Sequence, residues 1–540
     1  MFSPLSSMAY RRMWVGSLFS NFGTLIQGVG AAWTMALLTP KANLVAFVQT
    51  AQSIPVFFLA MAAGALADMY DRRKIAFIGL MIGFGGSLSL AFLGLMNLTT
   101  PLALLAGVAI TSIGGALATP SWQASVRDQV PPKVLPAAVA LNSMSYNLAR
   151  SFGPAIGGAI VATAGAIFAF IVNAASFLPM MCALISWKPV KEPTRLPPEG
   201  LGRALISGAR YVMYSPDIRN TLVRTLLISL CSASITALLP IVVRDVLHGG
   251  ADAFGLLLGG FGMGAVTAAL NIARLRSLFS PEFMVRIGNV VLGLATILTA
   301  ISTSLPLTIA ALAFAGAGWF LSVNECNIVI QISVPRWVTG RAMAAFNMAI
   351  ACGTAFGAWG WGYIAAARGV ECSLLASAAL LLFGVQFAGL WLRLSEQSAP
   401  AEQRQPHSDP EVALDLTPRS GPVRIEIEYD IDPGLARRFY GLMQEIRKVR
   451  SRTGGYGWSI SRDVASPNHW IESYSTPTWL DYLRQRTRAT QAERDLNSKV
   501  LALQTEGQQV TIRRLLERPF GSVRWKDNSP DDNIQDTALI

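Results

Sequence analysis

The sequence predicts an all-α membrane protein, twelve transmembrane helices in two six-helix halves, with a soluble α+β domain appended at the C-terminal end. Three observations carry that expectation. Of 540 residues, 52% are hydrophobic and only 14% charged, whereas an average soluble domain is about 25% charged. A water-soluble globule has no interior large enough for so much apolar sequence. Apolar runs near the ~20 residues that a bilayer core demands recur as far as Arg393. Basic residues collect in alternate connections between those runs. The net charge of +12 invites a nucleic-acid partner, but nucleic-acid-binding chains are rich in charge and this one is poor in it.

The apolar runs fall at roughly 14–38, 44–67, 75–97, 102–126, 138–162, 166–187, 220–243, 254–273, 286–304, 306–331, 341–366 and 371–393. No cleavable signal peptide is read ahead of them. Arg11 and Arg12 precede the first run and are expected to hold the N-terminus in the cytoplasm. The connections on that side carry Arg72, Arg73 and Lys74, then Arg127 and Lys133, then a cluster from Lys188 to Arg224, then Arg274, Arg276, Arg286, Arg336 and Arg341. That is about 19 basic residues inside against about 3 outside, namely Lys41, Arg244 and Arg368. The expected protein therefore sits in the cell (inner) membrane as a multi-pass chain with both termini cytoplasmic, in contact with membrane lipid. Splitting the charge at residue 396 leaves roughly +13 on the membrane part and a nearly neutral tail, so the basic balance records orientation and no nucleic acid is expected.

One connection is long. Residues 188–219 hold Pro189, Pro193, Pro197 and Pro198 and divide an N-terminal half, 1–187, from a second half, 220–395. A repeat supports the division: Val130 to Gly158 overlays Val334 to Gly362 without gaps at an offset of about 204 residues. Val130/Val334, Pro131/Pro335, Val134/Val338, Ala138/Ala342, Ala140/Ala344, Gly153/Gly357 and Gly158/Gly362 coincide. Two homologous halves with a site between them is a transporter architecture. The five cysteines lie in apolar stretches without CxxC spacing and read as packing residues, so no metal site or other cofactor is expected.

Between the second and third runs stands Gly64-Ala-Leu-Ala-Asp68-Met-Tyr-Asp71-Arg72-Arg73-Lys74. The glycine permits close helix approach, Asp68 ends a helix where it can accept from a neighbouring helix N-terminus or pair with an arginine, and the cations fix the loop inside. This segment resembles the signature loop of the major facilitator superfamily, with Asp71 in place of the usual second glycine. The resemblance implies a gating motif of Gly64, Asp68, Asp71, Arg72, Arg73 and Lys74. The matching loop of the second half, Gly264 to Arg276, keeps Gly264, Arg274 and Arg276 but has Ala268 where an acid is expected, so an acid-dependent contact is expected in the first half alone. The fifth run carries Gly153-Pro154 and Gly157-Gly158, a spacing that lets helices pack closely; it is similar to the glycine–proline motif of the superfamily's exporters, or to generic small-residue packing. Pro120 to Pro131 and Ala137 to Ser143 are similar to the branch containing the enterobactin exporter and macrolide-efflux-type proteins. The arginine that many drug–proton antiporters place in the fourth run reads Ile110 here.

A polar group inside a bilayer needs a reason. Arg150 lies about 18 Å into the fifth run at ~1.5 Å per residue, where it can bind an anionic or hydroxyl-rich substrate or pair structurally. Glu325 is an acid well inside the tenth run, flanked by Asn324 and Asn327; it is a candidate proton-coupling group, with gate anchoring as the other reading. Asn21, Gln27, Gln49, Gln52, Asn142 and Asn147 could line a central cavity or bond between helices.

Beyond Arg393 the composition changes. A polar linker, 396–421, leads to a soluble domain, 422–518, and a polar tail, 519–540. Alternation in Val423–Tyr429 predicts a strand, Asp432-Pro433 opens a helix over 433–450, and strands at 455–463 and 468–475, helices at 477–486 and 489–504 and a strand at 508–515 follow. The order βαββαβ points to a ferredoxin-like sheet. The segment from Trp479 to Thr490 resembles the soluble extension of this transporter branch, itself similar to small dimeric monooxygenase-like domains, which implies regulation, ligand binding or self-association. Trp458, His469 and Trp470 leave cofactor-free oxygenation open. The expected function is a secondary exporter of small organic molecules, siderophore-like or drug-like, driven by protons through alternating access. The chain has no GxxxxGK[ST] loop for ATP. The alternative is a membrane-tethered enzyme or sensor whose soluble domain carries the activity.

Overall fold

The computed structural model describes residues 3–131, 134–187, 201–335, 338–394, 414, 416–417, 419–487, 491–505 and 510–517. The expected linker (396–421), the start of the connection between halves (188–200) and the tail (519–540) fall largely or wholly outside them. The first helices are α1 (Met8–Leu38), α2 (Ala42–Met69), α3 (Arg72–Leu95), α4 (Pro101–Ser125), α5 (Leu135–Ala164) and α6 (Ala166–Ser186). A short helix, α7 (Leu201–Met213), precedes α8 (Pro216–Ile241), α9 (Ala251–Leu278), α10 (Pro281–Ile301), α11 (Leu305–Ser333) and α12 (Thr339–Arg368). The last apolar helix comes in two pieces, α13 (Val370–Ala379) and α14 (Gln386–Trp391), joined by a wider turn at Leu380–Val385.

Local chemistry sets these ends. Ser7, Asp71, Thr100 and Ser280 each accept a backbone N–H of the first turn of α1, α3, α4 and α10, and Pro101 and Pro281 stand at first helical positions. Gly165 and Gly369 break the chain between α5 and α6 and between α12 and α13 with φ of +85° and +93°, a conformation that favours glycine. The two glycines lie at the same 204-residue offset as the sequence repeat.

Among the described residues, ten helices are long and apolar enough to cross a membrane. α1 and α5, 31 and 30 residues long, are not counted in that set; they carry the polar candidates, Asn21 and Gln27 in one, Asn142, Asn147 and Arg150 in the other. Apolar side chains such as Leu102, Leu270 and Phe383 point outward and exposed, as lipid-facing residues must. Small residues bring backbones together inside. A Cβ on Gly79 of α3 would stand 2.7 Å from the carbonyl oxygen of Gly114 in α4, so only glycine fits.

The chain forms two compact units, one of Met1–Leu205, Asn220–Gln331 and Gly340–Gln397, the other of Ile206–Arg219, Ile332–Thr339 and Ser398–Ile540. Within the first, α5 and α12 make matching contacts. Gly153 of α5 packs on Leu25 of α1, and its repeat mate Gly357 of α12 packs on Leu230 and Ala233 of α8. Gly158 meets Gly255 of α9 backbone to backbone, and its mate Gly362 meets Ala46 of α2.

In the second unit, β1 (Val423–Asp430), α15 (Ala436–Arg452), β2 (Tyr456–Arg462), β3 (His469–Thr476), α16 (Trp479–Thr487), α17 (Gln491–Leu501) and β4 (Thr511–Leu516) follow in order, within a few residues of the expected positions. The strands form one antiparallel sheet in the order β2-β3-β1-β4, with Val423 opposite Thr476 and Leu516. Alternate residues of β1, Val423, Ile425, Ile427 and Tyr429, bury against Phe439, Met443 and Ile446 of α15. Ile206–Arg219, expected within the free connection between halves, belongs to this unit, where Tyr211 is buried beside Arg452 and Glu493.

Candidate functional site

The helices of the first unit have two ends. One bears the N-terminus, the α2–α3 connection and the α4–α5 connection; the other bears Thr39, Gly165 and the α8–α9 connection. At the Thr39 end the halves are locked together. Besides the Gly158–Gly255 and Gly362–Ala46 contacts, Arg244 donates through Nη1 to the carbonyl oxygens of Ala36, in the last turn of α1, and, at 3.0 Å, of Thr39, its C-cap. Its remaining donors are held by Asp245 at 2.6 and 2.9 Å. A cation at a helix C-terminus satisfies orphan carbonyls and opposes the helix dipole. Trp33 of α1 stacks on Phe254 of α9 at 5.9 Å between ring centroids. Nearer the middle, Thr50 of α2 donates to the carbonyl of Ala355 in α12 at 3.0 Å.

At the other end, the described polar contacts stay within each half. Arg72 binds Asp128 at 2.9 Å and the Ala124 carbonyl at 3.2 Å, and Arg73 donates to the Ile185 carbonyl at 2.7 Å. Asp71 is the N-cap of α3, accepting from the Arg73 amide at 3.0 Å, which explains an acid where a glycine is usual; Lys74 is exposed. The side chain of Asp68 lies outside the described residues. Gly64 was expected to allow close helix approach, but a Cβ there would meet nothing within 4 Å, and the same holds for Gly340 at the start of α12. Among the described residues no neighbour is drawn up against either glycine at this end.

The second half corrects one expectation. An acid-dependent contact was expected in the first half alone because Ala268 replaces the acid; instead α11 supplies it. Arg276, the last cation of that second-half loop, lies 3.6 Å from the fully buried carboxylate of Glu325. Glu325 stands eight residues, about 12 Å, from the end of α11, so it faces the basic end of α9. Arg224, fully buried in α8, pairs with Glu282 of α10, which also accepts from Arg286 at 2.7 Å and the Leu394 amide at 3.1 Å.

The middle of the unit holds the remaining candidates. Pro154 has no N–H for the carbonyl of Arg150 one turn earlier. The Arg150 guanidinium lies over the ring of Trp319 in α11, 3.6 Å from its centroid, joining the halves. Gly153 and Gly157 hold α5 on α1, a Cβ at Gly157 falling 3.1 Å from Ile26 Cα. Gln27, read as either a cavity residue or an interhelical bond, is buried between helices: Asn173 donates to its Oε1 at 2.7 Å, and its Nε2 donates to Thr111 at 3.2 Å. Two neighbouring helices, α4 and α6, engage that amide at both its nitrogen and its oxygen. Asn21 donates to Ser145 at 3.2 Å and Asn142 accepts from the Tyr10 hydroxyl at 2.9 Å. Gln49, Gln52 and Asn324 are half-buried, Asn327 accepts from Gln331, and the Asn147 side chain lies outside the described residues. Sequence reasoning missed Trp319, Arg244 and the Arg276–Glu325 pair. Arg276 and Glu325 were each singled out in the sequence, but nothing in it ties one to the other.

The soluble unit has its own polar centre. The fully buried Glu472 accepts from Tyr429 (3.0 Å), Arg450 (3.0 and 3.3 Å) and Trp458 (3.0 Å). Burial is the largest single influence and would lower the Arg450 guanidinium, but the Glu472 charge and hydrogen bonds together with Tyr474 and Tyr429 hold it well above its ordinary value. Burial likewise pushes the Tyr474 phenol up to about 12, against Arg450. With its lone pairs this fully engaged, Glu472 is a structural anchor. Among the described residues no cluster of three or more His, Cys, Asp or Glu side chains could hold a metal.

A family model described as transmembrane secretion effector, MFS_3, matches residues 1–520. The chain is 25% identical over 276 residues to a staphyloferrin A transporter of Staphylococcus aureus, covering 51% of this chain and 69% of that one. It is 23% identical to the enterobactin exporter EntS of Citrobacter koseri, covering 72% and 91%, and 25% identical to the multidrug efflux pump Tap of Mycolicibacterium fortuitum, covering 68% and 92%. Among solved structures it is similar to a bacterial homologue of the human lysosomal transporter Spinster, inward-facing and unoccupied, with a TM-score of 0.59, 14% identity, and coverage of 73% and 98%.

Proposed function

The chain belongs to the MFS_3 family of transmembrane secretion effectors, within the major facilitator superfamily, and from that premise we propose how it exports. It is a multi-pass membrane transporter of the exporter type and not an enzyme. The observation that carries the mechanism is the asymmetry between its two ends: repeat-related glycines and Arg244 close the Thr39 end, while among the described residues Gly64 and Gly340 at the basic end meet no neighbour. In our reading the basic end is cytoplasmic by the charge of its connections, α1 and α5 span with the ten apolar helices, and the described state admits substrate from the cytoplasm. Export then requires the Gly158–Gly255, Gly362–Ala46 and Arg244 contacts to part while α2 and α12 close over the basic end.

The substrate is a small organic molecule, siderophore-like or drug-like by analogy with the relatives' names. Protons are the proposed coupling ion, with Glu325 exchanging its proton as Arg276 moves; Asp68, Asp71, Arg72, Arg73 and Lys74 form the cytoplasmic gate. The soluble unit, whose sheet order matches the ferredoxin-like arrangement, is proposed to regulate the transporter or join two copies of it. The test is transport of candidate substrates in inverted vesicles with and without an imposed pH gradient. Gradient-driven accumulation that Glu325→Gln makes insensitive to the gradient is expected; accumulation equally gradient-dependent in that variant would overturn the coupling role.

A further inference from the structure

We propose that Arg150 and Trp319 form the receptor for an organic anion that carries a planar aromatic face, and that the bound anion takes the guanidinium from the indole. The inference rests on the transporter reading and narrows its substrate.

Both residues lie at mid-helix. Arg150 is about 22 Å from the start of α5 and Trp319 about 21 Å from either end of α11 at ~1.5 Å per residue. A charge at that depth requires a partner. Other arginines of the same unit have carboxylates: Arg72 has Asp128, Arg224 has Glu282 and Arg276 has Glu325. Among the described residues, Arg150 has an aromatic ring in place of a carboxylate. An indole face attracts the charge but accepts none of the five N–H bonds a guanidinium offers in a planar fork. A carboxylate, or another oxyanion of that shape, accepts two of them and displaces a weaker contact. The indole so released presents a flat surface, and Tyr146, one turn before Arg150 on α5 and half exposed, adds a second ring. Arg150 comes from one half and Trp319 from the other, so a ligand that replaces their contact acts on the equilibrium between the halves, as a transported substrate must.

Two xanthene dyes test the assignment with ring area held nearly constant and charge reversed: 5-carboxyfluorescein, an anion, and rhodamine 6G, a cation. Binding is read by fluorescence polarisation on the purified full-length protein. The expected result is at least tenfold tighter binding of carboxyfluorescein, a tenfold or greater loss with Arg150→Gln, partial retention with Arg150→Lys, loss with Trp319→Leu and retention with Trp319→Phe. Equal or tighter binding of rhodamine 6G by the unaltered protein, or no binding of either dye, overturns the inference without any variant. So does unchanged carboxyfluorescein affinity in Arg150→Gln. Transport in proteoliposomes separates the two levels: rhodamine 6G carried in place of carboxyfluorescein sinks the anion receptor and leaves the transporter reading standing.

Discussion

A methyl group on Gly255 tests the locked end directly. The Cβ of Gly255→Ala would fall 2.5 Å from Gly158 Cα and 3.1 Å from its amide nitrogen, whereas carbon atoms in contact rest about 3.5–4.0 Å apart. The neighbour is backbone on a rigid helix, so α5 and α9 must separate by about 1 Å. Overpacking of this kind costs about 1–3 kcal/mol, and the cost falls only on the state in which α5 and α9 touch. The equilibrium should therefore move about 5- to 150-fold toward the state with the Thr39 end open. The gain in helix propensity from glycine to alanine is common to both states and cancels. Spin labels at Lys41 and His248, both exposed at that end, in a background without the native cysteines, report the change as a longer distance population in pulsed electron paramagnetic resonance. Gly85→Ala is the control, since a Cβ there meets nothing within 4 Å. An unchanged distribution in Gly255→Ala, or the same change in Gly85→Ala, would refute the argument that this contact holds the end shut.

Gly64→Leu should act in the opposite sense: it meets no neighbour in the described state but obstructs closure of the basic end, so the short-distance population between Lys41 and His248 should rise and turnover should fall. Arg244→Gln removes the cation from the end of α1 and should favour the open Thr39 end, by about 0.3–2 kcal/mol for a helix-terminus charge, read with the same labels; an unchanged distribution would count against the latch. Glu472→Ala strands the buried Arg450 and should destabilise the soluble unit by about 3–5 kcal/mol, visible as faster hydrogen exchange in β1 and β3 with protection of α3 and α4 unaffected.

Much of the architecture is legible in the sequence because one physical demand governs it. A chain in lipid must satisfy its backbone within helices, and the length of each apolar run is the length of the helix. The soluble strands are legible by alternation: Val423, Ile425, Ile427 and Tyr429 are one buried face of β1. What the sequence hides is pairing. Gln27 reads equally as a cavity residue or an interhelical bond until Asn173, 146 positions away, donates to its oxygen. Glu325 has no basic residue near it along α11, and Arg276 reaches it from α9. Arg244 counts in the sequence only as one of the few basic residues on its side, while its work is done on the carbonyls of Ala36 and Thr39. α7, with Tyr211 buried against Arg452, shows no apolar run at all.

The 204-residue offset separates scaffold from site. Where the halves agree, the residues do matching work: Gly153 and Gly357, and Gly158 and Gly362, make matching contacts, and Gly165 and Gly369 make matching turns. Where we propose function, they disagree. Arg150 corresponds to Thr354, Trp319 to Gly115 and Glu325 to Ser121. The division follows from what each task requires. Rocking about a shared axis needs equivalent hinges and equivalent close contacts in both halves, so the glycines are kept in pairs. A single bound molecule has no twofold symmetry to offer, and a cation repeated at Thr354 would place a second charge at mid-bilayer with no acid to meet it. One arginine, set against one tryptophan across the interface, is the arrangement that lets the two halves differ in what they bind while moving as equals.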